Sequence, residues 1–509
     1  MSYINTSGTF ILFFANIISK LFGAFYRLPL SNLLGAEGMG LYQMAFPIYS
    51  FLLTMITGGI GVTLTRQIAY LRARNENNLI YKQYVMGKRI SLFFGIIFFF
   101  LIIALSYPMA LIQGNFKAFY GYFAIAIGFT FACMLGAYRG YYQGYGNMLP
   151  TAISQIIEQG AKLIFGLVFA YIFLKKDVVF GVFGALLGIS FSEIVSFVYF
   201  FFLNKKKVSK CNIVVSKDDY KLFIKQVTPV SLTYVLLPLS SLIDSFLIVN
   251  LLQLCGFTTN FATSLYGIET GMILPLINMP NVLVSAIALA SLPDVSFKLS
   301  KKLDTSKQIS TIFKIVLIFI LPCSVGLFIL AEPIIRIVFP ALDSNYLNIA
   351  VTLLRFSSIE MFYLSFVTIS NAILQALNKT KKAVASLSLG ISLKLVFTII
   401  FVLNVNINIL GLVFASALCY FIVTLINVKN IKKQTFFRLS FLELFLPILS
   451  CAIMALTVIT FNYYFNLSNN IFGVFALILM AIITYFCILI AFKQINIKSI
   501  RNIFKNNKT

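Results

Sequence analysis

Histidine and tryptophan are both absent from the 509 residues of this chain. Without imidazole there is no Ser-His-Asp triad, no histidine proton relay and no histidine-ligated metal. Without indole, the amphipathic belt at a membrane interface falls to tyrosine, of which there are 25. Charge is scarce, at 11% of residues against ~25% in an ordinary soluble domain, and acidic residues are scarcest, 15 against 40 basic. Seven cysteines (Cys133, Cys211, Cys255, Cys323, Cys419, Cys451, Cys487) stand singly with no CxxC pair, which argues against a disulfide framework or a thiolate zinc site. No cofactor is expected. The polar connections reach only about two dozen residues, too short for an ATPase, a glycosyltransferase head or a receptor domain. Energy must then come from an ion gradient, the membrane potential or the substrate gradient. The first apolar segment lacks a basic n-region and a small-residue cleavage site, so no cleavable signal peptide is expected.

What the chain has in abundance is apolar residues, 60% of the total. Fourteen stretches are long enough to cross a hydrocarbon core of ~30 Å, for which ~20 residues suffice. They run roughly over 7–34, 41–65, 90–112, 118–138, 150–174, 178–203, 222–250, 264–293, 312–336, 346–376, 383–404, 408–428, 441–463 and 471–492. Every second connection is basic. Loops 66–89, 204–221 and 294–311, the turn 377–382, the connection 429–440 and the tail from Lys493, with Arg139, Lys225 and Lys314 beside them, hold 31 of the 40 cations. The opposite connections hold only Lys117, Lys175, Lys176 and Arg336. The positive-inside rule therefore predicts a multi-pass protein of the bacterial cytoplasmic membrane with both termini cytoplasmic. The net charge of +25 reads as topology and attraction to anionic membrane lipids, and nucleic acid is excluded as a partner.

The chain also resembles itself. Residues 141–165 lie over 372–397 at an offset of 232, with Gln143 on Gln375, Ser154 on Ser386, Lys162 on Lys394 and Phe165 on Phe397. More loosely, 22–35 lies over 243–256. The expected fold is an all-α polytopic membrane protein with fourteen transmembrane helices, arranged as two six-helix lobes that are parallel repeats, plus two C-terminal helices. The N-lobe would span 1–203, a cytoplasmic linker 204–221, the C-lobe 222–428, the last two helices 429–492 and a basic cytoplasmic tail 493–509. Such an architecture places a substrate path between lobes near the midplane.

Ionisable residues inside spans are expensive and face a cavity or a partner. Ten qualify: Lys20, Arg27, Glu158, Lys162, Glu193, Asp244, Glu269, Arg355, Glu360 and Lys394. Lys20 and Arg27, seven apart, share a face of span 1, and Lys20 sits past the middle of that segment, too deep to snorkel inward. Glu158 and Lys162, spaced i, i+4 on span 5, either line a cavity or neutralise each other. Arg355 and Glu360 do not share a face, and Glu193 and Glu269 read equally well as interhelical hydrogen-bond partners. Gly58, Gly59 and Gly61 in span 2, Pro229 and Pro238 in span 7, and Pro275 and Pro280 in span 8 mark helices that bend, move as gates or pack closely.

The segments SKLFGAFYRLPLSNLLGAEGMGLYQMAFPIYSF (19–51) and RGYYQGYGNMLPTAISQIIEQGAK (139–162) resemble the polysaccharide-transport branch of the multidrug/oligosaccharidyl-lipid/polysaccharide (MOP) flippase superfamily. Within it the likeness is to the stage V sporulation protein B group and the Gram-positive relatives of the lipid II flippase MurJ. The fourteen-span layout extends the likeness over the whole chain, with the specific motifs in the first third. The resemblance implies two six-helix lobes around a cavity, often cationic, and movement of lipid-linked saccharides to the outer leaflet by alternating access. It implies no enzyme activity, a lipid-linked oligosaccharide as substrate, and partners among cell-wall synthesis proteins. It carries substrate-binding basic positions onto Lys20 and Arg27, where a pyrophosphate headgroup needs cations. Glu158 and Lys162 would line the same cavity, and Gly58 and Gly59 would serve gating. Asp244 corresponds to a position that contributes to a cation site in some members. The facing region presents Lys394 instead of a neutral oxygen ligand, so an Asp244–Lys394 ion pair and transport without sodium are expected. Residues 42–65 lack the arginine that Gram-negative members carry there, which leaves the cargo open among lipid II, capsule, teichoic-type and sporulation precursors. A cation-coupled multidrug exporter of the same superfamily remains a second reading because of Glu158, Glu193 and Glu269. A membrane enzyme acting on lipid-linked sugars is a third, and the short, nearly uncharged outward loops count against it.

Overall fold

A computed structural model describes residues 6–205, 215–301, 303–435, 437, 440–492 and 494; most of the linker and the basic tail therefore lie outside the described residues. The helices in chain order are α1 (Thr6–Ala73), α2 (Asn77–Ile112), α3 (Phe119–Gly144), α4 (Leu149–Leu174), α5 (Val178–Lys205), α6 (Lys217–Leu254), α7 (Thr259–Gly267), α8 (Leu274–Ser300), α9 (Ser306–Ile329), α10 (Ala331–Val338), α11 (Ser344–Ala376), α12 (Thr380–Val402), α13 (Leu410–Lys432), α14 (Phe441–Phe465) and α15 (Ile471–Ala491). No strand occurs among the described residues.

Thirteen of these stretches are long and apolar enough to cross a membrane. The first has 68 residues and would measure about 100 Å if straight, several times a hydrocarbon core of ~30 Å. It is two crossings, broken at Gly35, whose φ of 68° and ψ of −172° no residue with a β-carbon adopts readily. Fourteen spans follow, with one difference from expectation: residues 35–40 do not form a loop, and the connection shrinks to one residue. Neighbouring contacts explain it. A β-carbon on Gly40 would collide with the Thr263 carbonyl, and one on Gly267 with the Ala36 carbonyl, so α1 stays helical here to lie directly on α7. Two other spans are also interrupted. Span 8 begins as α7, passes through a π-helical turn at Ile268–Ile273 and continues as α8, while span 9 ends in the separate α10.

The chain divides into two compact units, one of Met1–Leu276 with Val402–Ile409, the other of Ile277–Phe401 with Leu410–Thr509. In the first, α3 offers glycines at 136, 140 and 144, one turn apart, to the second half of α1. A β-carbon on Gly140 would lie 2.6 Å from the Gly61 carbonyl oxygen, so backbones touch where side chains ordinarily would. Gly58 and Gly59 do the same against α6. A β-carbon on Gly58 would lie 3.3 Å from Tyr234, and one on Gly59 would overlap the Ser231 hydroxyl, which donates 2.7 Å to the Met55 carbonyl.

Prolines inside helices leave the carbonyl four residues earlier without its N–H partner. Pro47 frees the Gln43 carbonyl, which accepts from the Tyr266 hydroxyl at 3.3 Å. Pro275 follows a π-helical turn in which the Leu274 N–H bonds five residues back to the Glu269 carbonyl, so it leaves the Thr270 carbonyl without a backbone donor, and the Gln43 side-chain amide donates to it; the adjacent Gly271 carbonyl accepts from Ser31 Oγ at 3.4 Å. In the second unit Pro322 frees the Ile318 carbonyl of α9, and Tyr485 of α15 donates to it at 2.9 Å. Around that bond Leu330, Cys451, Met454, Leu477 and Leu489 form the buried core in which α9, α14 and α15 pack.

The repeat is visible in the backbone of each unit taken separately. Where α3 ends, Tyr145, Gly146 and Asn147 donate to the carbonyls of Tyr141, Gln143 and Tyr142. Where α11 ends, Leu377, Asn378 and Lys379 donate to those of Ile373, Gln375 and Leu374, each position 232 residues further on. Both turns put their left-handed residue at the same register, Gly146 at φ 74° and Asn378 at φ 58°. This is the helix stop in which the chain reverses through one αL residue, for which glycine and asparagine are the usual choices.

Candidate functional site

The first unit gathers charged and aromatic residues from α1, α3, α4 and α5. On α1, Tyr42 stacks on Phe46 with ring centroids 5.6 Å apart, and Phe46 leads to Tyr49 at 6.1 Å, because residues three and four apart lie on one helical face. The Arg27 guanidinium lies 5.6 Å from the centre of the Phe46 ring. Lys162 Nζ, from α4, lies 5.2 Å from the same ring and 5.1 Å from that of Tyr26. Tyr26 is fully buried and donates to the Ala185 carbonyl at 3.3 Å. Two cations from different helices thus share one ring, stabilised by its negative face.

The carboxylates of the region are occupied elsewhere. Glu158 Oε2 binds Arg139 Nη2 of α3 at 2.5 Å, and Glu158 Oε1 accepts from the Gln159 amide at 3.0 Å. Arg139 is further held by Ser154 Oγ at 2.9 Å and Ser196 Oγ at 3.4 Å. Glu193, buried on α5, accepts from the Tyr49 hydroxyl at 2.9 Å. Among the described residues neither Arg27 nor Lys162 has a carboxylate within 4.0 Å. Two cations beside an aromatic wall, neither held in an ion pair, are suited to an anion, and the apolar rings suit a group that is not wholly polar.

Sequence reasoning found part of this. Arg27 and Lys162, both expected at a cavity, come together against the Phe46 ring. Glu158 and Lys162 form no ion pair, since Glu158 goes to Arg139. Arg139 was counted with the cytoplasmic loop residues; it lies five residues inside the end of α3, where the Glu158 carboxylate and two hydroxyls satisfy it. Glu193 makes the interhelical hydrogen bond that was one of its readings. Lys20 is exposed on α1, away from the ring cluster among the described contacts. Gly58 and Gly59 sit at the α1–α6 contact. Asp244 is half-buried on α6 in the first unit, and Lys394 is buried on α12 in the second; both make interactions, as do buried Glu269 and Glu360. Phe46, Tyr26 and Tyr49 carried no signal, because in a chain that is 16% aromatic one more ring in a span is unremarked.

Comparison with known proteins places these residues in context. The family model described as "Polysaccharide biosynthesis protein" matches residues 6–296. The lipid II flippase MurJ of Bacillus subtilis (strain 168) is 26% identical over 456 residues, covering 84% of this chain and 82% of that protein. Stage V sporulation protein B of the same organism is 25% identical over 439 residues, covering 84% and 83%. Among solved structures, a lipid II flippase MurJ in an inward closed conformation superposes with a TM-score of 0.75 at 16% identity, over 95% of this chain and 99% of that one. An inward-facing multidrug resistance MATE family transporter of the MOP superfamily does so with a TM-score of 0.65 at 17% identity, over 82% and 95%. These structures share the fold.

Proposed function

We propose that this chain, which belongs to the polysaccharide biosynthesis protein family of the MOP flippase superfamily and is a multi-pass bacterial membrane protein, carries a lipid-linked saccharide pyrophosphate such as lipid II from the inner to the outer leaflet. The observation that carries the reading is the pair Arg27 and Lys162 over the Phe46 ring with no ion-pair partner for either among the described residues. A pyrophosphate must shed water to cross the membrane, and charge-assisted hydrogen bonds from a guanidinium and an ammonium replace it. The neighbouring rings suit sugar faces and the first carbons of a lipid tail. Lys20, two turns earlier on α1, would receive the headgroup on its way to that pair.

The relatives named for lipid II transport and for sporulation support a cargo of this class. Occupation of Glu158 by Arg139 and of Glu193 by Tyr49 disfavours a pocket for cationic drugs. The test is complementation of a strain depleted of its lipid II flippase, followed by a leaflet assay with labelled lipid II. Lys20→Ala and Arg27→Ala should abolish transport at normal membrane abundance, and Lys20→Arg should keep part of it. Full transport by both alanine variants would remove the reading.

A further inference from the structure

Glu158 stands four residues before Lys162 on α4, the order in which a glutamate and a lysine pair best along a helix. The pair does not form. Arg139 takes one carboxylate oxygen at 2.5 Å, Gln159 the other, and the Lys162 ammonium lies over Tyr26 and Phe46 instead. The charges of Arg139 and Glu158 would have a sufficient explanation if the helix junction needed them for packing, and the repeat supplies a control for that. At 232 residues further on, Arg139 corresponds to Asn371, Ser154 to Ser386, Glu158 to Gly390 and Lys162 to Lys394.

The second junction closes without either charge. Ser386 Oγ donates to Asn427 Oδ1 at 2.6 Å, and the Asn427 amide donates to Asn371 Oδ1 at 2.8 Å and to Ser370 Oγ at 3.0 Å. Ser386 and Ser154 even share a secondary bond, to the carbonyls of Ala383 and Thr151 respectively, again 232 apart. At Gly390 a β-carbon would run into Val423, so no carboxylate fits there. Neutral groups therefore hold this helix junction. The ion pair of the first repeat is an addition to the scaffold, placed one turn from the lysine of the anion site.

We propose that Arg139 is a positioning residue for the cargo site: by holding the Glu158 carboxylate it keeps the Lys162 ammonium available to the phosphate of the lipid-linked cargo. The role rests on the functional reading above. Freed from Arg139, Glu158 would swing one turn along its own helix and neutralise Lys162, and the anion would face a competitor built into the site.

The test measures equilibrium binding of inorganic pyrophosphate and of fluorescent lipid II to the purified full-length protein, with thermal stability recorded in parallel. Arg139→Gln should weaken binding about tenfold, the equivalent of one charge-assisted hydrogen bond. Glu158→Gln should bind as well as the parent or more tightly, and Arg139→Gln combined with Glu158→Gln should match Glu158→Gln alone. In a Lys162→Gln background, Arg139→Gln should have no further effect on affinity. Arg139→Lys, which keeps the charge, should retain binding and covers the case in which Arg139→Gln folds poorly. A merely structural role would lower stability in these variants but would not make the affinity loss depend on Lys162. Parent-like binding by Arg139→Gln, or an equal loss with Glu158 already neutral, would overturn the proposal while leaving the cargo site intact. Parent-like binding by both Arg27→Gln and Lys162→Gln would overturn the cargo site itself and the proposal with it.

Discussion

Replacing Lys162 by glutamine should make the protein more stable and a worse binder. The ammonium and the Arg27 guanidinium lie 5.2 and 5.6 Å from one ring centre, so they cannot be farther apart than those two distances together, about 11 Å. At an effective dielectric constant near 20 their repulsion is then at least ~1.5 kcal/mol. The side chain is half-buried, and its partial desolvation adds to this cost. Against this stand its two ring contacts, about 1–2 kcal/mol each, and the weaker attraction of the Glu158 and Glu193 carboxylates. Glutamine removes the repulsion and the desolvation cost while filling much of the volume, for a net gain on the order of 1 kcal/mol. Binding should move the other way, since a charge-assisted hydrogen bond contributes about 1.5–3 kcal/mol, or roughly tenfold to hundredfold in affinity. The protein has no tryptophan to report unfolding, but buried Cys133, Cys419 and Cys451 can, through a thiol-reactive fluorophore during a thermal ramp. Pyrophosphate should raise the melting temperature of the parent and barely move the variant. A variant that melts lower and binds normally would show that Lys162 is a packing residue, and the electrostatic reasoning would fail.

Gly140→Ala sets a methyl 2.6 Å from the Gly61 carbonyl and should cost about 1–3 kcal/mol, seen in the same thermal ramp; an unchanged melting temperature would mean that α1 and α3 separate easily. Tyr485→Phe strands the Ile318 carbonyl that Pro322 frees and should cost about 1–3 kcal/mol without affecting pyrophosphate binding. For topology, a membrane-impermeant thiol reagent applied from outside should modify Asn406→Cys and spare Gln434→Cys; the reverse pattern would invert the orientation.

The fourteen spans were legible because each needs only a run of apolar residues, and the repeat because matched polar residues in an apolar background are uncommon. The offset derived from Gln143, Ser154 and Lys162 also locates Gly146 and Asn378, a correspondence of backbone that no residue identity reveals. The one-residue break at Gly35 was not legible. GAEGMG reads as a loop by composition, and only the approach of α7 to Gly40 and Ala36 keeps it helical. The partner of Glu158 was not legible for a similar reason: spacing along α4 offers Lys162 as one possibility, while Arg139 reaches it from another helix. Local pattern shows which charges share a helix face, and the neighbouring helix decides which of them meet.

The carbonyls released by Pro47 and Pro275 constrain how the first unit can open. The Tyr266 hydroxyl and the Gln43 side-chain amide donate to them across the seam between α1 and the α7 region, and any movement that parts these helices leaves both oxygens without a donor. Neither helix can take them back, because a pyrrolidine nitrogen carries no hydrogen. In hydrocarbon each would stay orphaned at a cost of several kcal/mol, whereas water can satisfy them at once. The seam is therefore sensitive to what flows into it. It can part toward a wetted vestibule and resists parting toward the acyl chains, so hydration selects the side on which this helix pair yields.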